Sequence, residues 1–175
     1  MADHSAVDPS ARLVAHDEIR MLASSYAVAV DSRDLDALVA LFVPDIRVGA
    51  DAVGRDALRA SFAASLSQVG VTILQVGTHV IDLIDADHAT GTQYTAGQIQ
   101  DRHRWIHQAI VYRDTYERCD GRWLFVRRIH ELFHGVEAWA NPLDQEPADW
   151  PRHPDGRGTA PGSFPTWDAF WRDRT

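Results

Sequence analysis

Residues 105–135, WIHQAIVYRDTYERCDGRWLFVRRIHELFHG, constrain the fold more than any other part of the chain. They read as two long strands joined at Asp120-Gly121, a dipeptide suited to a two-residue hairpin loop because both central positions tolerate positive φ. Successive strand residues point to opposite faces, so Gln108, Ile110 and Tyr112 are expected together on the first strand. On the second, the same alternation groups Leu124, Val126, Arg128, His130 and Leu132. Arg-x-His among aliphatics sets two polar groups where apolar ones would pack at lower cost. That face is the first candidate for chemistry.

Upstream, residues 10–31 repeat at helical spacing, with Ile19, Leu22, Tyr26 and Val30 as the core-facing stripe. Ala23, Ala27 and Asp31 line an adjoining strip. A carboxylate in a helix's last turn opposes the macrodipole, at a cost of about 0.3–1 kcal/mol, so something should compensate at Asp31. Asp31 or Asp34 could instead cap the following helix, DLDALVALF. A break at Pro44, a strand in DIRVGA and a helix over residues 54–68 come next. VTILQVGTHVIDLI and HATGTQYTAGQIQ then read as two further long strands, the first carrying Gln75 and His79 on one face. The order is helices, a strand, a helix and four long antiparallel strands, an α+β layout. Long strands with polar residues scattered on one face suit a sheet curled around a cavity.

Residues 136–175 change character, holding six of the eight prolines. Trp139, Trp150, Trp167 and Trp171 bring too much apolar area for a disordered linker. The expected division is a domain over residues 1–135 and a tail over 136–175 that wraps the body or a partner subunit. PTWDAFWRD should close the tail as a short helix with proline near its first turn.

Composition prunes the chemistry. The chain has no lysine, and its 17 basic residues are all arginine, which excludes a side-chain Schiff base and any P-loop lysine. A formal net charge of -8 argues against nucleic-acid or anionic-membrane partners. The single Cys119 excludes an internal disulfide. No signal-like amino terminus or transmembrane run is legible, which places the protein in the cytoplasm. The pairs His103/His107 and His130/His134 have a spacing that chelates on a helix, but on strands it separates them by about 13 Å. Metal ligation asks for about 2 Å from each ligand to the ion, so no metal is expected.

The run YAVAVDSRDLDALVALFVPDIRV, the VGTHVIDLIDADHATG hairpin and the YRDTYERCDGRWLFVRR hairpin together resemble the SnoaL-like branch of the nuclear transport factor 2-like superfamily. That resemblance implies a cone, a curved antiparallel sheet wrapped by helices around one deep pocket. Its members include scytalone dehydratase, hexachlorocyclohexane dehydrochlorinase, ketosteroid isomerase, polyketide cyclases and the small subunits of ring-hydroxylating dioxygenases. By resemblance, Asp31 falls on the aspartate that pairs with a catalytic histidine, and Arg128 near an arginine lining the pocket. Gln108, Ile110 and Tyr112 match pocket-facing positions. The usual histidine position holds Leu74 or Gln75 instead, so His130 or His79 would have to partner Asp31.

Three function classes follow. The first is a cofactor-free lyase or isomerase for a small, largely apolar molecule. In it Asp31 with His130 or His79 moves a proton, Tyr112 and Arg128 stabilise negative charge on oxygen, and Tyr26, Gln75, His79, Gln108 and Ile110 contact substrate. The second is a non-catalytic small-molecule binder, and the third an assembly subunit like the small subunit of the dioxygenases. Exposed apolar surface leads us to expect a homodimer.

Overall fold

The computed structural model describes residues 8–149, 151–153 and 155–172. Trp150 therefore lies outside the described residues. Helix α1 spans Pro9–Ser32. Its start is written locally: Pro9 occupies the first turn and the Asp8 carboxylate accepts from the amides of Ser10 and Ala11. Ile19, Leu22, Ala23, Ala27 and Val30 form its buried side. Arg33 ends it in the left-handed conformation, φ 60°. Asp34 then caps α2, Leu35–Ala40, through the amide of Ala37 at 2.9 Å. The capping alternative is thereby decided for Asp34, and Asp31 is free for another partner.

Two short strands, β1 (Arg47–Val48) and β2 (Ala52–Val53), precede α3, Arg55–Leu66. The main sheet has the order β3-β4-β5-β6, antiparallel throughout, with β3 at Thr72–Leu83, β4 at His88–Asp101, β5 at Arg104–Cys119 and β6 at Arg122–Glu137. Asp120 and Gly121 both have positive φ, 50° and 76°, as a two-residue hairpin loop requires. The sheet curves without closing. Helix α1 lies across its inner face towards β3, and Phe42 forms a bridge to Phe125 on β6.

The core sits between α1 and the inner sheet face, where Ile19, Leu22, Phe42, Ile81, Tyr116, Trp123 and Phe125 pack together. A second cluster joins Val30, Leu35, Leu38 and Leu66 to Phe170 of the tail. Phe170 belongs to α4, Pro165–Arg172, whose Thr166 hydroxyl donates to the Ser32 carbonyl at 2.7 Å. Trp167 and Phe170 flank the Arg33 guanidinium at 5.0 and 5.8 Å. Trp139 is fully exposed. No helix among the described residues is long and apolar enough to cross a membrane.

Candidate active site

Irregularities in the sheet decide which side chains face inward. On β3, Val76 pairs with Thr95 and His79 with Gln93, so Gly77 and Thr78 together oppose Tyr94. This β-bulge breaks the alternation that put Gln75 and His79 on one face. His79 turns inward and is half-buried, whereas Gln75 is exposed on the outer face. On β6, Phe125 pairs with Tyr116 but Arg127 with Thr115, which leaves Val126 as the extra residue. Trp123 and Phe125 therefore share the parity of Arg128 and His130, and the extra residue Val126 reaches the pocket beside them. A second irregularity, at Phe133, follows before His134.

Register then builds the inner face in rows. Tyr116 stands beside Phe125, Asp114 beside Arg128, and Tyr112 beside His130. Gly91 and Gln93 of β4 continue the second and third rows. Without the bulge, the hairpin would set Arg128 opposite Arg113, a like-charge pair that sheets avoid. With it, the Arg128 Nε lies 3.4 Å from Asp114 Oδ1, both side chains being essentially inaccessible.

This buried pair anchors a polar chain. The Tyr116 hydroxyl donates to Asp114 Oδ2 at 2.9 Å, and His79 Nε2 lies 3.0 Å from the same hydroxyl. Because Tyr116 donates its only proton to Asp114, it must accept from His79, which fixes the Nε2–H tautomer. On the other side, Arg128 Nη2 donates to Gln93 Oε1 at 2.5 Å, and Gln93 Nε2 to the Thr95 hydroxyl at 2.6 Å. The rings of Tyr112, Tyr26 and Phe125 enclose the guanidinium at 3.9, 4.3 and 4.6 Å. Its Nη1 has no hydrogen-bond partner. Gly91 makes the arrangement possible, since a Cβ there would stand 2.9 Å from the Tyr116 ring and hydroxyl.

Burial shapes the ionisation of the whole chain. It raises Asp114 to about 6 against the opposing pull of Arg128 and the Tyr116 hydrogen bond. It lowers His79 to about 4, with Arg128 adding to the effect. Tyr26, Tyr112 and Tyr116 are pushed upward, again mainly by burial, so all three stay protonated donors at neutral pH. Burial also lowers His130, leaving a neutral imidazole able to accept a proton.

A pocket of about 860 Å³ opens over this layer, between β6, α1, α3 and the segment following α2. Phe42, Leu58 and Phe62 give it apolar walls, while Tyr26, Tyr112, Arg128 and His130 supply the polar groups on one side. Asp45, Arg47, Glu117 and Arg127 also line it. Such a concave, mostly apolar space with a few convergent polar groups is what small-molecule sites look like.

The SnoaL-like domain model matches residues 11–129. The chain belongs to the SnoaL-like domain family. Solved structures agree on the SnoaL-like fold. A Novosphingobium aromaticivorans protein provisionally named as a scytalone dehydratase is 22% identical, with 79% of this chain and 99% of that one covered and a TM-score of 0.66. The LinA-type3 hexachlorocyclohexane dehydrochlorinase of Novosphingobium barchaimii is 21% identical, with 74% and 93% covered and a TM-score of 0.64. A Mycobacterium tuberculosis protein of unknown function, Rv3472, is 19% identical, with 73% and 77% covered and a TM-score of 0.63. No curated protein matches the sequence.

Within this SnoaL-like frame, the candidate residues separate. Tyr26, Tyr112, Arg128 and His130 converge on the pocket. Ile110 is buried, one row deeper into the sheet. Gln108 lines a shallow surface depression with Gly135 and Glu137 instead. The expected pairing of Asp31 with a histidine is not formed. Its carboxylate accepts from the Thr72 hydroxyl and from the backbone amide of Leu74, each at 2.9 Å. Leu74, one of the two residues that the resemblance sets at the histidine position, thus meets Asp31 through its main chain. These donors also answer the adverse helix dipole, while burial raises the Asp31 pKa. Gln93, Asp114 and Tyr116 were not among the sequence candidates. The Tyr-x-Asp-x-Tyr alternation of residues 112–116, facing an arginine in the next strand, was the available signal.

Proposed function

We propose that this SnoaL-like protein is a cofactor-free lyase or isomerase for a small, largely apolar molecule that carries a carbonyl or hydroxyl oxygen. The observation that carries this reading is the convergence of two protonated tyrosine hydroxyls, from Tyr26 and Tyr112, and the His130 imidazole on one aromatic pocket. His130 removes a proton from carbon as the general base, and the tyrosine hydroxyls donate to the oxygen on which charge develops. Arg128, on the pocket lining and stacked on the rings of Tyr26 and Tyr112, carries a charge that favours that developing anion. Asp31 is assigned a supporting role at the junction of α1 and β3. The similarity to a dehydrochlorinase agrees with elimination chemistry. The likeness to a protein provisionally named as a dehydratase points the same way.

One observation favours a second reading, a non-catalytic binder: Asp31 has both oxygens engaged by Thr72 and Leu74, so it does not orient the base. The two readings part in a single experiment. Ligands retained by the purified protein are identified by native mass spectrometry and offered back to wild type and to Tyr112→Phe. The enzyme reading expects turnover that falls by about 10²–10³-fold with little change in affinity, the usual cost of one oxyanion donor. Tight binding with no turnover by wild type establishes the binder.

A further inference from the structure

We propose that Asp114 is the positioning residue of this pocket, whose carboxylate sets how much of the Arg128 charge a ligand meets through Tyr26 and Tyr112. The inference deepens the reading above and rests on its pocket. Asp114 does not touch the pocket space; its side chain is wholly enclosed. It acts by standing 3.4 Å from the Arg128 guanidinium without itself lining the pocket. Seen from the pocket, a carboxylate and a guanidinium so close nearly cancel. Once the carboxylate is neutralised, an uncompensated cation remains on the pocket lining, 3.9 and 4.3 Å from the centres of the Tyr112 and Tyr26 rings. An anionic aromatic ligand in the pocket then gains affinity, and a neutral one of the same shape does not.

The geometry also explains why Asp114 can accept a proton. A buried carboxylate stays ionised when several donors hold it, and this one has a single hydrogen bond, from Tyr116. Its Oδ1 has no hydrogen-bonding partner, because Arg128 Nε approaches it without forming one. The groups around it are few. Arg128 faces it from β6, Tyr112 and Tyr116 from its own strand, and Tyr26 from α1. His79 of β3 reaches it through Tyr116, with Arg20 and His16 of α1 acting on that histidine. From β4 come only Gly91 and the neutral Gln93. Burial raises Asp114 to about 6, whereas His79 stays neutral down to about 4. Asp114 is thus the group of this buried layer that gains its proton on mild acidification. His130, on the pocket lining, is the competing candidate and needs its own control.

Anilinonaphthalene sulfonate, anionic throughout the range, serves as probe, and phenylnaphthylamine as its neutral counterpart. Both are titrated by fluorescence between about pH 5 and 7.5, spanning the Asp114 transition. Wild type should bind the sulfonate roughly tenfold more tightly at the acid end, the effect of one unit charge at this range. The neutral probe should show no such change. Asp114→Asn should bind the sulfonate tightly at every pH, and His130→Gln should keep the wild-type transition. Tyr116→Phe removes the one donor to the carboxylate, so its transition should move to higher pH; it also serves if Asp114→Asn fails to fold. A sulfonate affinity that ignores pH, a transition that persists in Asp114→Asn, or one unmoved in Tyr116→Phe overturns the inference alone. Failure of both probes to bind overturns the pocket reading and the inference with it.

Discussion

Asp31 shows how a residue's role depends on what the chain sets in front of it. A helix-terminal aspartate facing a histidine is half of a proton-transfer dyad. Facing the Thr72 hydroxyl and the Leu74 amide, it joins α1 to the first long strand. Hydrogen bonds to a charged group contribute about 1.5–3 kcal/mol each, and their loss leaves donors unpaired. Asp31→Ala should therefore lower the stability measured by urea unfolding by about 2–4 kcal/mol. With ligand identified, turnover per folded molecule should stay within a few-fold of wild type. A fall of about 10²-fold or more in the folded variant would return Asp31 to the chemistry.

At the scale of elements, the tail helix is the part most open to a simple experiment. Helix α4 puts Phe170 at 5% exposure into the cluster of Val30, Leu35 and Leu38, and Trp167 over Arg33. Arg33 is itself buried, its Nη1 donating to the Val30 carbonyl at 2.6 Å and to the Thr72 hydroxyl at 2.8 Å. Burial brings its pKa down to about 10, so α4 covers a cation that already lacks water. We expect Phe170→Ala to cost about 3–5 kcal/mol, as for other buried aromatics. Limited proteolysis should then cut before Pro165 faster than in wild type. A variant as stable and as resistant as wild type would mean that α4 rests on the body without holding it.

For the whole molecule, Asp114 and His79 make opposed contributions to the response to acid. The folded-state pKa of Asp114 is raised above its unfolded value, so its contribution to stability is present below about pH 4 and is lost as pH rises to about 6. The folded-state pKa of His79 is depressed, so its contribution is present above about 6.5 and is lost as pH falls towards 4. Across this window these two changes oppose each other in the wild type. Asp114→Asn removes one of them and should melt at progressively lower temperature as pH drops from about 6.5 to 4. Parallel pH profiles for the two proteins would refute this. The outer sheet face bears on assembly: Ile73, Val80, Tyr94 and Phe133 are exposed there, the last two in edge-to-face contact at 5.4 Å. We expect a homodimer, which light scattering at micromolar concentration would report as twice the 19.6 kDa chain mass. A single-chain mass would end that expectation.

Sequence alone determined the main helices, the four long strands and their order, but not the short strand Ala52–Val53. Helical spacing through Tyr26, the Asp120-Gly121 turn and alternation along four runs are local signals, each set by backbone geometry within a few residues. The α+β class and the family resemblance followed from them. Alternation also found Tyr112, Arg128 and His130, because one strand's residues keep their faces between irregularities. What only the tertiary structure decided begins where alternation slips. Gly77 inside a strand pattern hints at a bulge without fixing its register, and nothing in Val126 announces the other, yet each bulge reverses the face of what lies beyond it. One turned Gln75 outward and His79 inward. The other moved Arg128 from opposite Arg113 to opposite Asp114. Partners distant in sequence are settled the same way: Asp31 meets Thr72 and Leu74, 41 and 43 residues along, because the sheet's curvature carries β3 past the end of α1. Burial does the rest, since a carboxylate's proton affinity depends on what surrounds it, and that surrounding exists only once the four strands and α1 have closed over Asp114.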